Sequence, residues 1–209
     1  MPSYRLAPAD SVWVWLAACA GAYLLTSLNF SLLASRLAGR PAALRRHGSG
    51  NPGATNALRA LGPAWALAVL LADVLRAACV SWAAMRWLPP LPAFAVCLCA
   101  LLGNLFPLYH GFRGGKGVAH ALGLVAGLDL ASAGLGALVW VLVAWLSRYA
   151  SLASLCMLLS YPICMAVFSR GWPEIGFALV ALLVICASHR HNIRRLLRGQ
   201  ERRLLAKNE

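Results

Sequence analysis

Residues 12–34 read VWVWLAACAGAYLLTSLNFSLLA, a run without charged side chains that is long enough to cross a membrane as one helix. A spanning helix needs about 20 apolar residues, because the hydrocarbon layer is about 30 Å thick and a helix rises about 1.5 Å per residue. Residues 16–19 (LAAC) resemble the cleavage site of a bacterial lipoprotein signal, but the apolar run continues well beyond them. We therefore expect a retained first transmembrane helix.

The whole chain has the composition of an integral membrane protein. Of its 209 residues, 61% are hydrophobic and 12% are charged, and the mean hydropathy is +0.70. A soluble domain has about 45–50% apolar and about 25% charged residues, so a water-soluble fold could not cover this apolar surface. The formal net charge of +13 comes from short basic clusters between apolar runs. Because no basic face extends along a polar surface, we expect no nucleic-acid partner.

The seven cysteines give no sign of a metal site or a disulfide framework. Their number is odd, all of them fall in apolar stretches, and no C-x-x-C pair occurs. Cysteine in such a setting usually behaves as a small buried hydrophobe. The sequence therefore predicts no metal and no cofactor.

Seven apolar runs are candidates for membrane-spanning helices: residues 12–34, 64–85, 91–109, 116–130, 132–147, 149–168 and 173–188. With seven crossings, one side of the membrane receives nearly all basic side chains, and the other receives only Arg5, Arg86 and Arg170. Because cytoplasmic loops carry the excess of positive charge, we predict an all-α polytopic membrane bundle of seven transmembrane helices, with the N-terminus outside and the C-terminus cytoplasmic. Residues 1–209 would form a single domain. The fourth run is the weakest, since its purely apolar part covers only residues 118–130 and is too short to span unless the helix begins within the preceding glycines. The alternative for this run is a re-entrant segment.

Asp73 and Arg76 lie three positions apart inside the second predicted span. Residues at this spacing share one face of a helix, and ionisable groups are costly in lipid. We therefore expect a structural ion pair between them.

Three polar, glycine-rich segments interrupt the apolar pattern, and the predicted topology places all three at the cytoplasmic face. Residues 48–59 (GSGNPGATNALR) combine glycines with hydroxyl and amide side chains. Glycine lets backbone N–H groups converge on an anion, so this segment is suited to cradle a phosphate, although a flexible connector has a similar composition. Residues 111–118 (GFRGGKGV) place Arg113 and Lys116 among four glycines, which suits either an anion site or a positively charged anchor.

The third segment, residues 188–201 (SHRHNIRRLLRGQE), pairs two polar side chains on one helical face. His189 and Asn192 are three positions apart, whereas the arginines alone would indicate a polybasic helix attracted to anionic lipid. No segment contains a Walker A loop, because Lys116 is followed by glycine rather than by Ser or Thr. The segments therefore favour phosphate binding without nucleotide hydrolysis.

Together the three segments resemble the acyl-phosphate:glycerol-3-phosphate acyltransferase family of bacteria, the PlsY family. The resemblance rests on residues 48–62 (GSGNPGATNALRALG), 111–123 (GFRGGKGVAHALG) and 189–201 (HRHNIRRLLRGQE), in the family's order and spacing. Residues 148–154 (RYASLAS) are similar to a further family stretch. The resemblance implies a seven-helix enzyme of the bacterial inner membrane, with its active site at the cytoplasmic face. Its partners would be membrane lipid and two substrates, acyl phosphate and glycerol 3-phosphate.

The implied reaction transfers the fatty acyl group to the 1-hydroxyl of glycerol 3-phosphate and gives lysophosphatidic acid and inorganic phosphate. The resemblance implies catalytic roles for Ser49, Lys116, His189 and Asn192. Ser49 and Lys116, together with Arg59, would bind phosphate or stabilise the oxyanion, and the proton acceptor is either His189 or the donor's own phosphate. The other implied substrate-binding residues are Gly50, Asn51, Gly53, Asn56, Arg59, Arg113, Gly114, Gly115, Gly117 and Glu201, and we expect Glu201 to pair with an arginine.

Four positions depart from the family pattern: Asn29, Ala77, Asn104 and His120. They leave the residues with implied catalytic roles in place, so they bear on substrate preference and fine geometry rather than on reaction type. The alternatives from other functional classes are a non-catalytic membrane homologue and a transporter of an anionic solute.

Overall fold

The computed structural model describes residues 11–46, 50–168 and 170–204, and the regular elements in these ranges are helical. One short 3₁₀ turn, Leu108–His110, lies between the sixth and seventh α-helices. In chain order, the helices are α1 (Val12–Ser27), α2 (Phe30–Leu37), α3 (Ala43–Arg46), α4 (Ala54–Leu61), α5 (Pro63–Trp87), α6 (Pro90–Leu105), α7 (Val118–Leu128), α8 (Leu130–Ser147), α9 (Ala150–Val167), α10 (Trp172–Ser188) and α11 (Arg190–Leu197).

The helices have the length and composition of a multi-pass membrane protein. Five stretches of the described chain are long and apolar enough to cross a membrane: Val12–Leu37, Pro63–Trp87, Pro90–His110, Leu130–Ser147 and Ala150–Val167. The α10–α11 pair, which bends by 68°, would make a sixth. The predicted all-helical membrane fold is confirmed, whereas length and composition alone support five or six spans rather than the seven expected.

The difference in number arises from α7. A span was predicted over residues 116–130, but the helix covers only Val118–Leu128. Gly117 has a left-handed φ of +78°, so the preceding glycines do not extend the helix toward its amino end. Eleven residues give a helix of roughly 16 Å. That is about half the thickness of the hydrocarbon layer.

The first predicted span is divided into two helices at Asn29. The helix α1 ends at Ser27, and the side-chain oxygen of Asn29 accepts a hydrogen bond of 3.0 Å from the backbone N–H of Leu32. An asparagine that bonds to the backbone in this way caps the start of a new helix and competes with a continuous one. The break places the polar Asn29 against the larger cavity described below.

Small residues allow α7 to pack directly against α5. A Cβ atom on Gly123 would overlap the carbonyl oxygen of Val74, and one on Gly127 would overlap the hydroxyl of Ser81. Close approach of backbones through small residues is a common basis of helix association in membranes. The helix α7 also contacts α6, α8 and α10, so protein surrounds it on several sides.

The expected ion pair inside the membrane is confirmed. Arg76 donates to the carboxylate of Asp73 over 2.9 Å, and the two side chains are only 7% and 10% exposed. Arg76 also donates to the carbonyl oxygens of Leu25 and Leu28 and lies 4.5 Å from the ring centre of Phe30. The pair therefore neutralises two buried charges and fixes α5 against the break between α1 and α2.

A second ion pair joins two loops at the end of the bundle where α7 and α9 finish. Arg170, which follows α9, donates to Asp129 at 2.9 Å, and Ser132 also donates to this carboxylate. Asp129 lies between α7 and α8. The far ends of α7 and α9 are therefore held side by side.

The close contact between α5 and α7 predicts that Gly123→Ala destabilises the protein. The added methyl group meets the Val74 carbonyl, and overpacking of this kind costs about 1–3 kcal/mol. The matched control is Gly134→Ala in α8, where an added Cβ has no neighbour within 4 Å. We expect a lower midpoint of thermal unfolding in detergent for Gly123→Ala only. Equal midpoints for the two variants would contradict this packing.

Candidate active site

One cavity of about 610 Å³ brings the three polar segments together. It lies where α7 begins and where α10 ends, and residues on both sides of the α4–α5 turn also line it. Each of the three segments contributes to its wall. The predicted residues that line it are Asn51, Gly53, Asn56, Arg59, Gly115, Lys116, Gly117, His189, Asn192 and Glu201.

A chain of hydrogen bonds connects the second segment to the third. Lys116 Nζ donates to Asn192 Oδ1, and Asn192 Nδ2 donates to Glu201 Oε1 over 2.6 Å. Glu201 also accepts from Arg195 Nε at 2.8 Å and from Ser151 Oγ at 2.9 Å. The expected pairing of Glu201 with an arginine is therefore confirmed, and Arg195 is the partner.

The first and second segments meet at Gly115. A Cβ atom there would lie 2.5 Å from the carbonyl oxygen of Pro52, so the approach of the two loops requires glycine. Two residues later, the left-handed Gly117 is followed by the first residue of α7. Lys116 is consequently held between a tight contact of two loops and the start of a buried helix.

The short helix α4 carries two of the predicted residues in different environments. Asn56 is buried and donates to the carbonyl oxygen of Leu44 over 2.7 Å, which ties α4 to α3. Arg59 lines the cavity and donates from Nε and Nη2 to the carbonyl oxygens of Leu204 and Arg203. Asn56 therefore anchors the helix, and Arg59 supplies a cation to the cavity.

Three predicted residues lie against a different cavity. Gly50, Arg113 and Gly114 line a smaller space of about 230 Å³ together with Arg45. The two cavities adjoin at Asn51, which lines both. Ser49, for which a catalytic role was predicted, lies outside the described residues.

The remaining wall of the larger cavity is largely apolar. Leu67 and Leu70 on α5 and Val141 on α8 are among the residues that line it. Leu67 and Val141 are each 56% exposed, so they also belong to the outer surface of the bundle. One cavity therefore combines a polar, cationic end with an apolar side that opens toward the surface that lipid would cover.

Comparisons with known proteins match most of the chain to one protein family. The family described as glycerol-3-phosphate acyltransferase matches residues 16–199. The chain belongs to this family. Relatives named glycerol-3-phosphate acyltransferase include one from Thioalkalivibrio sulfidiphilus, 48% identical over 87% of this chain and 89% of its own length. Another, from Brucella anthropi, is 43% identical over 88% of this chain and 90% of its own length.

Solved structures of the family share the fold. A crystal structure of PlsY (YgiH), described as an integral membrane glycerol 3-phosphate acyltransferase in its glycerol 3-phosphate form, is 35% identical with a TM-score of 0.86. The match covers 91% of this chain and 95% of that one. The lysophosphatidic acid form of PlsY gives 34% identity and a TM-score of 0.85. The family resemblance of the three segments is thus confirmed.

The surroundings of His189 make it a neutral hydrogen-bond acceptor. Its Nδ1 lies 2.9 Å from the carbonyl oxygen of Ile185, which can only accept, so Nδ1 carries the proton and Nε2 keeps its lone pair. Burial, followed by the positive charge of Lys116, lowers the pKa of His189 to about 4. At neutral pH the ring is therefore uncharged in this family member.

The groups around Lys116 change the pKa of its amine. Burial lowers its pKa to about 8, the carboxylate of Glu201 opposes this effect, and the charges of Arg195 and Arg59 add to it. A lysine with this pKa is mostly protonated at pH 7. An anion bound beside it would stabilise the charged form and raise the pKa.

Two residues of the hydrogen-bond network were not assigned from the sequence. Arg195 was one of several arginines in the third segment, and its position three residues after Asn192 was the available signal, because this spacing shares a helical face. Ser151 lies within residues 148–154, a stretch that resembles the family without a side-chain type that indicates its role. Its bond to Glu201 joins positions 50 residues apart, so no local pattern could have revealed it.

The environment of Lys116 predicts an unusual titration of its amine. The chain contains two lysines, so Lys207→Arg leaves Lys116 as the only lysine. In that protein, carbon NMR of the reductively methylated lysine should give a pKa near 8, with its signal distinguished from that of the N-terminal amine by comparison with Lys116→Arg. Glu201→Gln should lower this pKa, because the carboxylate that favours the charged form is lost. A titration near the ordinary lysine value of about 10.4 would show that the amine is not in the buried position described.

Proposed function

We propose that this protein transfers a fatty acyl group from acyl phosphate to the 1-hydroxyl of glycerol 3-phosphate, and so forms lysophosphatidic acid and inorganic phosphate. The observation that carries the proposal is the larger cavity, whose cationic end adjoins an apolar wall. Both substrates carry a phosphate, and one carries an acyl chain, so they require this combination. The names of the family's relatives support the acyl acceptor, and the three-segment resemblance supports the donor.

The charges of the cavity suit two phosphate groups. Its cationic side chains are Arg59, Lys116, Arg195 and Arg202, and Arg195 is already paired with Glu201. We assign Lys116 and Arg59 to the phosphates, with backbone N–H groups of the glycine loops as further donors. Gly50, Arg113 and Gly114 would contact the side of a substrate phosphate that faces the smaller cavity. The acyl chain would lie along Leu67, Leu70 and Val141.

The reaction itself needs little activation by the protein. Oxygen of the 1-hydroxyl attacks the acyl carbon, the new ester C–O bond forms, and the C–O bond to phosphate breaks. Acyl phosphate is a mixed anhydride with a good leaving group, so positioning and charge stabilisation can supply much of the acceleration. Lys116 would stabilise the negative charge that develops on the carbonyl oxygen and the leaving phosphate. Ser49 is proposed for the same role on the family resemblance alone.

His189 and Asn192 would orient the acceptor alcohol. The lone pair on His189 Nε2 can accept a hydrogen bond from the 1-hydroxyl, and Asn192 fixes the Lys116 amine beside it. Burial and Lys116 lower the pKa of His189 to about 4, and such a ring holds a proton poorly at neutral pH. The proton would therefore end on the released phosphate, which is a stronger base than the buried ring.

We further propose seven crossings, with the N-terminus outside, the C-terminus in the cytoplasm, and residues 1–209 as one domain of the inner membrane. Ser151 near the start of α9 and Lys116 before α7 both line the cavity, and Arg170 after α9 pairs with Asp129 after α7. Since α9 is long enough to cross, this pairing supports a crossing by α7 as well. Surrounding helices would shield its short span from lipid. The basic loops favour the cytoplasm for the cavity.

The function is tested by comparing acyl donors with the purified protein in detergent. With glycerol 3-phosphate as acceptor, acyl phosphate should give lysophosphatidic acid and an equal amount of inorganic phosphate, and the coenzyme A thioester should give neither. Mass spectrometry and a phosphate assay measure the two products. Product from the thioester alone would contradict the proposal, as would transport of an anionic solute without acylation.

The same assay tests the assignment of Lys116. Loss of one group that stabilises developing charge lowers turnover by about 100- to 1,000-fold, so we expect this fall in kcat/KM for Lys116→Ala. Lys207→Ala removes the same charge elsewhere and serves as the matched control. Near-normal turnover of Lys116→Ala would remove Lys116 from the catalytic residues.

A further inference from the structure

The side chain of Arg59 is held by main-chain groups far along the sequence. Its Nε donates to the carbonyl oxygen of Leu204 at 3.3 Å, and its Nη2 donates to that of Arg203 at 3.1 Å. In a planar guanidinium, Nε–H and one N–H of Nη2 lie on the same edge. The remaining donors on Nη1 and Nη2 form a second edge, which matches two oxygens of a phosphate.

The segment that supplies these carbonyls is fixed at both ends, and we name residues 201–204 the C-terminal strap. At its start, the Glu201 carboxylate is bonded to residues of α9 and α11. At its end, the Leu204 N–H donates to the carbonyl oxygen of Arg148 over 2.7 Å. Arg148 ends α8 in a left-handed conformation with φ of +63°, which residues other than glycine rarely adopt. The strap thus connects Arg59 to three helices that surround the cavity.

We propose that the C-terminal strap is the positioning element for Arg59: its two carbonyl groups hold one edge of the guanidinium so that the other edge is available to a substrate phosphate. The inference rests on the proposed phosphate-binding role of Arg59. The strap carbonyls touch no reacting atom and act through Arg59. Because the bonds are made by the main chain, they do not depend on the side chain of Arg203.

The strap should affect the binding of glycerol 3-phosphate more than the chemical step. An arginine that is already oriented loses less rotational freedom when the phosphate binds, and freezing one such side chain weakens affinity by about two- to tenfold. Loss of the strap should therefore raise KM and the Kd for glycerol 3-phosphate, with a smaller change in kcat. General loosening of the fold would lower kcat and the unfolding midpoint together.

The test uses a backbone-specific change in the full chain. Leu204→Pro removes the N–H that bonds to Arg148, whereas Leu204→Ala shortens the same side chain and keeps the N–H. Relative to Leu204→Ala, we expect Leu204→Pro to raise the calorimetric Kd for glycerol 3-phosphate by up to about tenfold, with an unchanged unfolding midpoint. If Leu204→Pro does not fold, Arg203→Gly with Leu204→Gly replaces it, and the corresponding double alanine variant is the control.

A second arm asks whether the effect passes through Arg59. In an Arg59→Met background, adding Leu204→Pro should cause no further loss of affinity. Equal affinities of Leu204→Pro and Leu204→Ala would overturn the proposal, and so would an equal loss with and without Arg59. If the wild-type protein binds and acylates glycerol 3-phosphate but the two Leu204 variants have equal affinities, the proposed function stands. Only the proposed role of the strap is then overturned. Wild-type protein without binding or acylation would overturn both.

Discussion

The hydrogen bond from Lys116 to Asn192 connects the loop before α7 with the helix after α10, and the arrangement of the cavity depends on it. Lys116 is positioned by a contact with the first segment, whereas Asn192 is held by a residue of its own segment that is in turn bonded to α9. Lys116 is fixed by the contact of Gly115 with Pro52, and Asn192 is fixed by Glu201, which also holds Arg195 and Ser151. A buried amine is expensive to desolvate, and this shared network supplies the acceptors that offset the cost.

The membrane imposes a second constraint, which applies to the charged residues of the bundle. Charged groups among the helices must be paired, and the described chain meets this requirement with Asp73–Arg76 inside the bundle and Asp129–Arg170 at its far end. Glu201 is likewise paired with Arg195. Lys116 and Arg59 are different, because their partners are an amide and backbone carbonyls, which carry no net charge. The carboxylate of Glu201 stabilises both charges without bonding to either, and a bound anion would stabilise them further.

Much of the architecture could be predicted from the sequence because lipid selects long apolar helices. Five predicted spans correspond to single helices, the first is divided at Asn29, and the Asp73–Arg76 pair follows from spacing alone. The sequence marked the run that contains α7 as short, but only the tertiary structure shows that Gly117 sets its start and that Gly123 packs it on α5. Ten of the predicted residues line the larger cavity, among them Arg59, Lys116 and His189. The bonds of Ser151 to Glu201 and of Arg59 to Leu204 join distant positions, and only the tertiary structure reveals them.

A structure of the protein with bound glycerol 3-phosphate would show whether the three polar segments form one phosphate-binding site. We expect phosphate oxygens within about 3.2 Å of Lys116 Nζ or of the Arg59 guanidinium. The hydroxyl end should lie near His189. A substrate phosphate bound only by Arg45 and Arg113 in the smaller cavity, with the larger cavity free of substrate, would show that the three segments do not form this site.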